Sequence, residues 1–103
     1  MIVHLATPAE WDAAQARGDI APASLASEGF IHCSRPDQVA ATIERHFGGV
    51  DELVLLHLDP AAFGHDLRWE EGRPGEDFPH VYRAIRLDEV LDVERWTRES
   101  PAS

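Results

Sequence analysis

Leu53-Val54-Leu55-Leu56-His57-Leu58 is apolar at every position but one, so a strand built from it has no face suited to water. That pattern predicts a central strand covered on both sides, and Asp59-Pro60 stops it. Upstream, Ile2-Val3-His4-Leu5 reads as a short strand ending at Thr7. Thr7-Pro8-Ala9-Glu10 then supplies a helix start, with a Thr N-cap, Pro at the first helical position and Glu where it closes a capping box. A helix from about Pro8 to Arg17 follows, with Trp11, Ala14 and Ala13 toward the core and Gly18 at the stop.

Residues 19–28 are rich in small side chains and contain Pro22, which predicts a loop leading into the strand Phe30-Ile31-His32-Cys33. Ser34-Arg35-Pro36-Asp37 repeats the capping grammar with Ser34 as N-cap, and Val39, Ile43 and Phe47 recur every four residues before Gly48-Gly49. Beyond the central strand, Leu67-Arg68-Trp69-Glu70 predicts a shorter strand and Glu71 to Asp77, with Gly72, Pro74 and Gly75, a polar loop. His80 to Ile85 and Val90 to Trp96 read as two further strands around a turn at Arg86 to Glu89. The expectation is α+β: a small, strand-rich split sheet of about six strands, with two helices confined to the first half. One domain spans 1–98, and residues 99–103 form a frayed tail.

Composition narrows the function classes. The 103 residues carry 9 Lys+Arg against 19 Asp+Glu, a net charge of −10, which disfavours nucleic acid but leaves room for a small anionic ligand in a local positive pocket. Cys33 is the only cysteine, so no internal disulfide forms and a reducing cytoplasm is the expected setting. MIVHLATPAEW has no basic leader or long apolar run, and no stretch reaches membrane-spanning length. Glycine-rich phosphate loops, HExxH and CxxC spacings are all absent.

Polar aromatic residues on strands are the candidates for chemistry. Alternation puts Ile2 with His4, Phe30 with His32 and Ser34, and His80 with Tyr82, each set on one face of its strand. If those faces line one cleft, His4, His32, His80 and Tyr82 converge to donate hydrogen bonds, move protons or hold an anion. His32 and Ser34 stand at a strand-to-helix junction, where free helix N–H groups attract anions, although capping alone would explain Ser34. Trp69-Glu70 sets a carboxyl beside a large apolar ring, the setting that raises a carboxyl pKa for acid or base work. Cys33 points away from His32 as a small buried hydrophobe, and His46, His57 and His65 are structural or solvated.

Val3-His4-Leu5, Leu25, Glu28-Gly29-Phe30-Ile31-His32-Cys33-Ser34, Leu53 to Leu58, Leu67-Arg68-Trp69-Glu70 and Phe78-Pro79-His80-Val81-Tyr82 together resemble the DUF952 family of small, mostly bacterial proteins. That family resembles in fold the ADP-ribosyltransferases and RNA 2′-phosphotransferases. The resemblance implies an ADP-ribosyltransferase-like cleft for NAD or a related nucleotide, with NAD as substrate and no covalently bound cofactor. It assigns His4, His32 and Ser34 to the nicotinamide ribose and Tyr82 to the aromatic that stacks on nicotinamide. The late catalytic Glu of those transferases matches either Glu70 or Glu94.

Three readings follow. In the first, a nucleotide-like anion is held by His4, His32, Ser34, His80 and Tyr82, with His32 and Glu70 as the catalytic residues and the Glu70 carboxylate stabilising an oxocarbenium-like centre. In the second, a zinc hydrolase uses His32, His80 and either His4 or Glu70. In the third, the chain is a noncatalytic interaction module.

Overall fold

The computed structural model describes residues 1–98; the tail expected at 99–103 lies outside the described residues. The first half runs β1 (Ile2–Ala6), α1 (Pro8–Arg17), β2 (Asp19–Ile20), α2 (Ala23–Glu28), β3 (Ile31–His32) and α3 (Val39–His46). The second half is all strand and short turn: β4 (Glu52–Leu58), β5 (Leu67–Arg73), β6 (Glu76–Val81), β7 (Ile85–Arg86) and β8 (Val90–Thr97). This is an α+β protein with small antiparallel sheets ordered β1-β4-β8, β2-β7 and β3-β6-β5.

β4 is central, as its apolar run, broken only by His57, requires. Val54, Leu56 and Leu58 pack with Ile2, Trp11 and Ala14 on the α1 side, whereas Leu53 and Leu55 pack with Val3, Leu5 and Ile43 on the α3 side. Each fully buried Leu contributes roughly 1.5–3 kcal/mol of hydrophobic free energy, so burial on both faces is what fixes this strand between two helices.

α1 forms as its start signals require. The Thr7 hydroxyl accepts from the Glu10 N–H, the Glu10 carboxylate accepts from the Thr7 N–H, and Gly18 ends the helix in the left-handed region at φ 104°. Trp11 and Ala14 are buried, while Ala13 is exposed, because three and four residues share a helical stripe and two do not.

Several boundaries differ from expectation. Residues 19–28 are not one loop: they hold β2, which pairs with β7, and the short helix α2. Neither has a periodic apolar face, so pattern alone could not reveal them. The polar stretch 71–77 is a hairpin: β5 runs to Arg73 and β6 begins at Glu76, joined through Pro74-Gly75 with Gly75 at φ 79°. Proline before a positive-φ glycine is turn chemistry inside a hairpin rather than a sign of a longer loop. The strand expected over 80–85 splits into β6 and β7, and Leu87–Glu89 forms a 3-10 turn between β7 and β8.

Ser34 is buried but does not cap a helix. The Gln38 side chain takes that task by folding back, its Oε1 accepting from the Arg35 N–H at 2.9 Å. Its Nε2 donates to the Glu76 carboxylate at 3.0 Å and to the Asp77 carbonyl at 2.9 Å, tying the start of α3 to β6. The backbone of Ser34 instead bridges Val3, with both N–H···O bonds at 2.8 Å.

Two outcomes test this account. Gln38→Ala is expected to cost about 1–3 kcal/mol because it removes three hydrogen bonds made by a buried side chain, and Ser34→Ala less than about 1 kcal/mol, since its hydroxyl makes only a 3.5 Å contact with Thr42 Oγ1. Urea denaturation midpoints measure both, and a larger loss at Ser34 would refute the assignment. Burial pushes the Cys33 thiol up to about 12, so a disulfide-exchange reagent should modify it only at the rate of unfolding.

Candidate functional site

The face of the β3-β6-β5 sheet that turns away from the α1-side core carries the polar rings. Register pairs His32 with His80 and His80 with Arg68, putting the three side by side across the sheet, with Glu70 and Phe78 opposite each other one step along. The other face holds Ile31 and Val81, fully buried in the core. Alternation therefore does here what it predicts: one face anchors, the other is available.

Phe30 organises the rings. It stacks on His80 at 4.1 Å between centroids with 21° between planes, meets His32 edge-on at 4.8 Å and lies 5.3 Å from Tyr82. The His32 and His80 rings are themselves 5.3 Å apart, edge to face. Such pairs prefer these offset and T-shaped arrangements, which restrict ring rotation.

His4 reaches this group from β1. Its Nδ1 stands 2.8 Å from the His32 carbonyl and must donate to it, so in the neutral ring Nε2 is left as an acceptor. Burial lowers the His4 pKa, outweighing the opposing effects of the His32 carbonyl and the Glu10 carboxylate. His4 is therefore a neutral imidazole under ordinary conditions.

His80 is buried, and its Nδ1 lies 2.8 Å from Glu70 Oε1. The same oxygen accepts the Tyr82 hydroxyl at 2.5 Å. Those two hydrogen bonds, Tyr82 first, hold the Glu70 pKa below its usual value, while the shared bond raises that of Tyr82. The raised Glu70 pKa expected beside Trp69 is thus reversed. Trp69 projects from the opposite face of β5 and is 46% exposed, so it does not desolvate the carboxyl. Arg68 sits over the Tyr82 ring at 4.4 Å, which adds further positive charge near Glu70.

These elements enclose a cavity of about 660 Å³. His4, His32, Ser34 and His80 line it; Glu70 and Tyr82 do not, standing behind His80 instead. The walls also hold Arg45 and His46 from α3, Arg73 from the hairpin, and Phe30, Phe47 and Phe78. His46, expected to be structural or solvated, is therefore a cavity residue. Thr42, Arg45 and His46 share one stripe of α3 at three- and four-residue spacing, a signal the sequence contained but nothing marked as polar function.

Gly72, another wall residue, is obligatory: a Cβ there would come within 2.5 Å of the Phe78 ring. Glu94 lies on β8 and bonds His57 at 2.9 Å, away from the cavity. Among the described residues no three His, Cys, Asp or Glu side chains gather as metal ligands, and Nδ1 of both His4 and His80 is already engaged. No helix of the described residues is long and apolar enough to cross a membrane.

The depressed His4 pKa sets a pH dependence. A base whose folded pKa lies below its ordinary value of 6.5 contributes stability that is complete above 6.5 and is lost as pH falls below it toward the folded value. Stability measured by denaturation should therefore drop as pH falls below about 6.5. The drop should be smaller in His4→Gln, which cannot titrate, and an equal drop would show that His4 is not the linked group.

Among solved structures the chain is similar to protein CC0527 of Caulobacter crescentus. Its crystal structure shares 37% sequence identity and gives a TM-score of 0.88 over 96% of this chain and 88% of that one. The solution NMR structure of the same protein, also 37% identical, gives a TM-score of 0.84 over 96% and 86%. Comparison with curated proteins finds no match. A family described as "Protein of unknown function (DUF952)" matches residues 5–93, a span that takes in His32, Ser34, Arg45, Glu70, His80 and Tyr82 and begins one residue after His4. The chain belongs to the DUF952 family.

Proposed function

We propose that the cavity binds a small nucleotide-like anion of the NAD and ADP-ribose class, in a domain related in fold to ADP-ribosyltransferases and RNA 2′-phosphotransferases. The observation that carries this reading is the convergence of imidazoles from β1, β3 and β6 with the α3 pair Arg45 and His46 on one cavity of about 660 Å³. That volume falls in the range of small-ligand sites. Phe30, Phe47 and Phe78 give the apolar surface a base or nicotinamide ring would stack on, and the cationic side chains give donors for phosphate oxygens.

Arg45 is the strongest anion candidate. Among the described residues it makes no ion pair, whereas Arg73 is 3.6 Å from Glu76. A guanidinium without a carboxylate partner at a cavity wall favours an anion there despite the net charge of −10, because a small ligand feels charges within about a Debye length. Glu10, Glu28 and Glu71 also line the cavity, which argues against a bulky polyanion such as RNA.

The reading favours binding over ADP-ribose transfer. Transfer needs a carboxylate at the reacting ribose, and both glutamates weighed for that role are engaged off the cavity, Glu70 with His80 and Tyr82 and Glu94 with His57. NAD remains the ligand to try first, with ADP-ribose beside it.

Calorimetric titration of both nucleotides is expected to give saturable binding in the millimolar range or tighter. Arg45→Ala and His80→Ala should each weaken it by about tenfold, and His65→Ala, outside the cavity, should leave it unchanged. Absence of binding by the unmodified protein at millimolar nucleotide, or equal losses in all three variants, would overturn the proposal.

A further inference from the structure

The wall of the cavity built by His4 and His80 differs in chemistry from the Arg45 side. His4 Nδ1 faces a backbone carbonyl, and His80 Nδ1 faces a carboxylate oxygen. Neither partner can donate, so each ring must carry its proton on Nδ1, and a neutral ring then has a bare Nε2. No buried side-chain nitrogen or oxygen among the described residues lacks a partner, and neither Nε2 has one in the protein, so both reach the open space these residues line.

We propose that Glu70 is a positioning residue that holds His80 as a hydrogen-bond acceptor, so that the part of the ligand meeting His80 and His4 is a hydroxyl-bearing group rather than the anion. The inference rests on the cavity being a ligand site, and it divides that site by chemistry: donors for phosphate at Arg45 and His46, acceptors for a diol at the imidazoles. The arrangement behind His80 is specific to this task. Glu70 touches no cavity space, yet one of its oxygens serves both His80 and Tyr82, and Tyr82 is in turn covered by Arg68. Hydrogen bonds that keep Glu70 ionised also keep it an acceptor, which fixes the tautomer of the ring in front of it. Phe30, stacked on His80, holds the ring plane that this direction requires.

Two measurements on the full chain test the assignment. Two-bond proton–nitrogen correlation spectra at neutral pH read the tautomer directly, and the bare, pyridine-type nitrogen of His80 is expected at Nε2. In Glu70→Gln the amide can donate to Nδ1, so the bare nitrogen should move to Nδ1 in a substantial fraction of molecules, whereas Tyr82→Phe, which keeps the carboxylate, should preserve the native signature. A carboxylate with a purely structural role would shift stability and leave the tautomer untouched.

Titration with adenosine 5′-monophosphate and its 2′,3′-dideoxy analogue compares ligands with the same anion and base. The unmodified protein should prefer the hydroxylated nucleotide by roughly tenfold, and the preference should fall toward unity in His80→Ala and Glu70→Gln. Equal affinity for the two nucleotides, or a protonated Nε2 on His80, overturns the inference while leaving the cavity as a nucleotide site. If neither nucleotide binds, the reading of the cavity falls and the diol assignment with it, and the nitrogen spectrum alone then decides whether Glu70 sets the His80 tautomer.

Discussion

Two backbone hydrogen bonds between Val3 and Ser34 join what are otherwise separate three-stranded sheets. On one side of that bridge β1 is locked to the buried central strand β4; on the other, β3 is paired to β6. Because the bridge is antiparallel, the segment leaving Val3 runs back along the one leading into Ser34, and His4 is carried to the His32 carbonyl. Without the bridge, the imidazole of β1 and those of β3 and β6 would belong to different sheets.

The same junction explains how polar rings tolerate burial. A buried imidazole is costly unless its N–H finds an acceptor, and each of the two buried here finds a strong one, a backbone carbonyl for His4 and a carboxylate for His80. His32 is exposed and pairs with Glu28 at 3.1 Å, joining the cavity floor to α2. Stability and site chemistry therefore share the same hydrogen bonds. The acceptors that satisfy the Nδ1–H groups determine which ring nitrogens remain for a ligand.

A strand face that is half core and half cavity also governs the electrostatics. Glu70, Tyr82 and Arg68 form a second row behind the rings, where opposite charges compensate each other without entering the cavity. Arg83 plays a comparable structural part farther along the chain, between Glu89 at 2.8 Å and Asp66 at 3.2 Å. Of the two arginines on the cavity wall, Arg73 pairs with Glu76, and Arg45, without such a carboxylate among the described residues, is left for a partner from outside.

The sequence alone was enough for the elements whose patterns are local. The apolar run 53–58 could only be a doubly covered strand, Thr7 to Glu10 could only start a helix, and alternation separated His32 from Cys33. It also marked His4, His32, Ser34 and His80, all of which line one cavity. What it could not determine depends on partners distant in the chain. Whether Ser34 caps a helix or bridges a strand rests on Val3, 31 positions earlier in the numbering of the bridge. Whether Glu70 has a raised or lowered pKa rests on Tyr82 and His80 rather than on its neighbour Trp69, because adjacent strand residues face opposite ways. Arg45 and His46 join the site only because α3 packs over β1 on the α3-side core, a decision made by Ile43 and Leu55 meeting across the fold. Local propensity is written residue by residue, but proton positions and cavity walls are fixed by contacts that exist only once the sheets have closed.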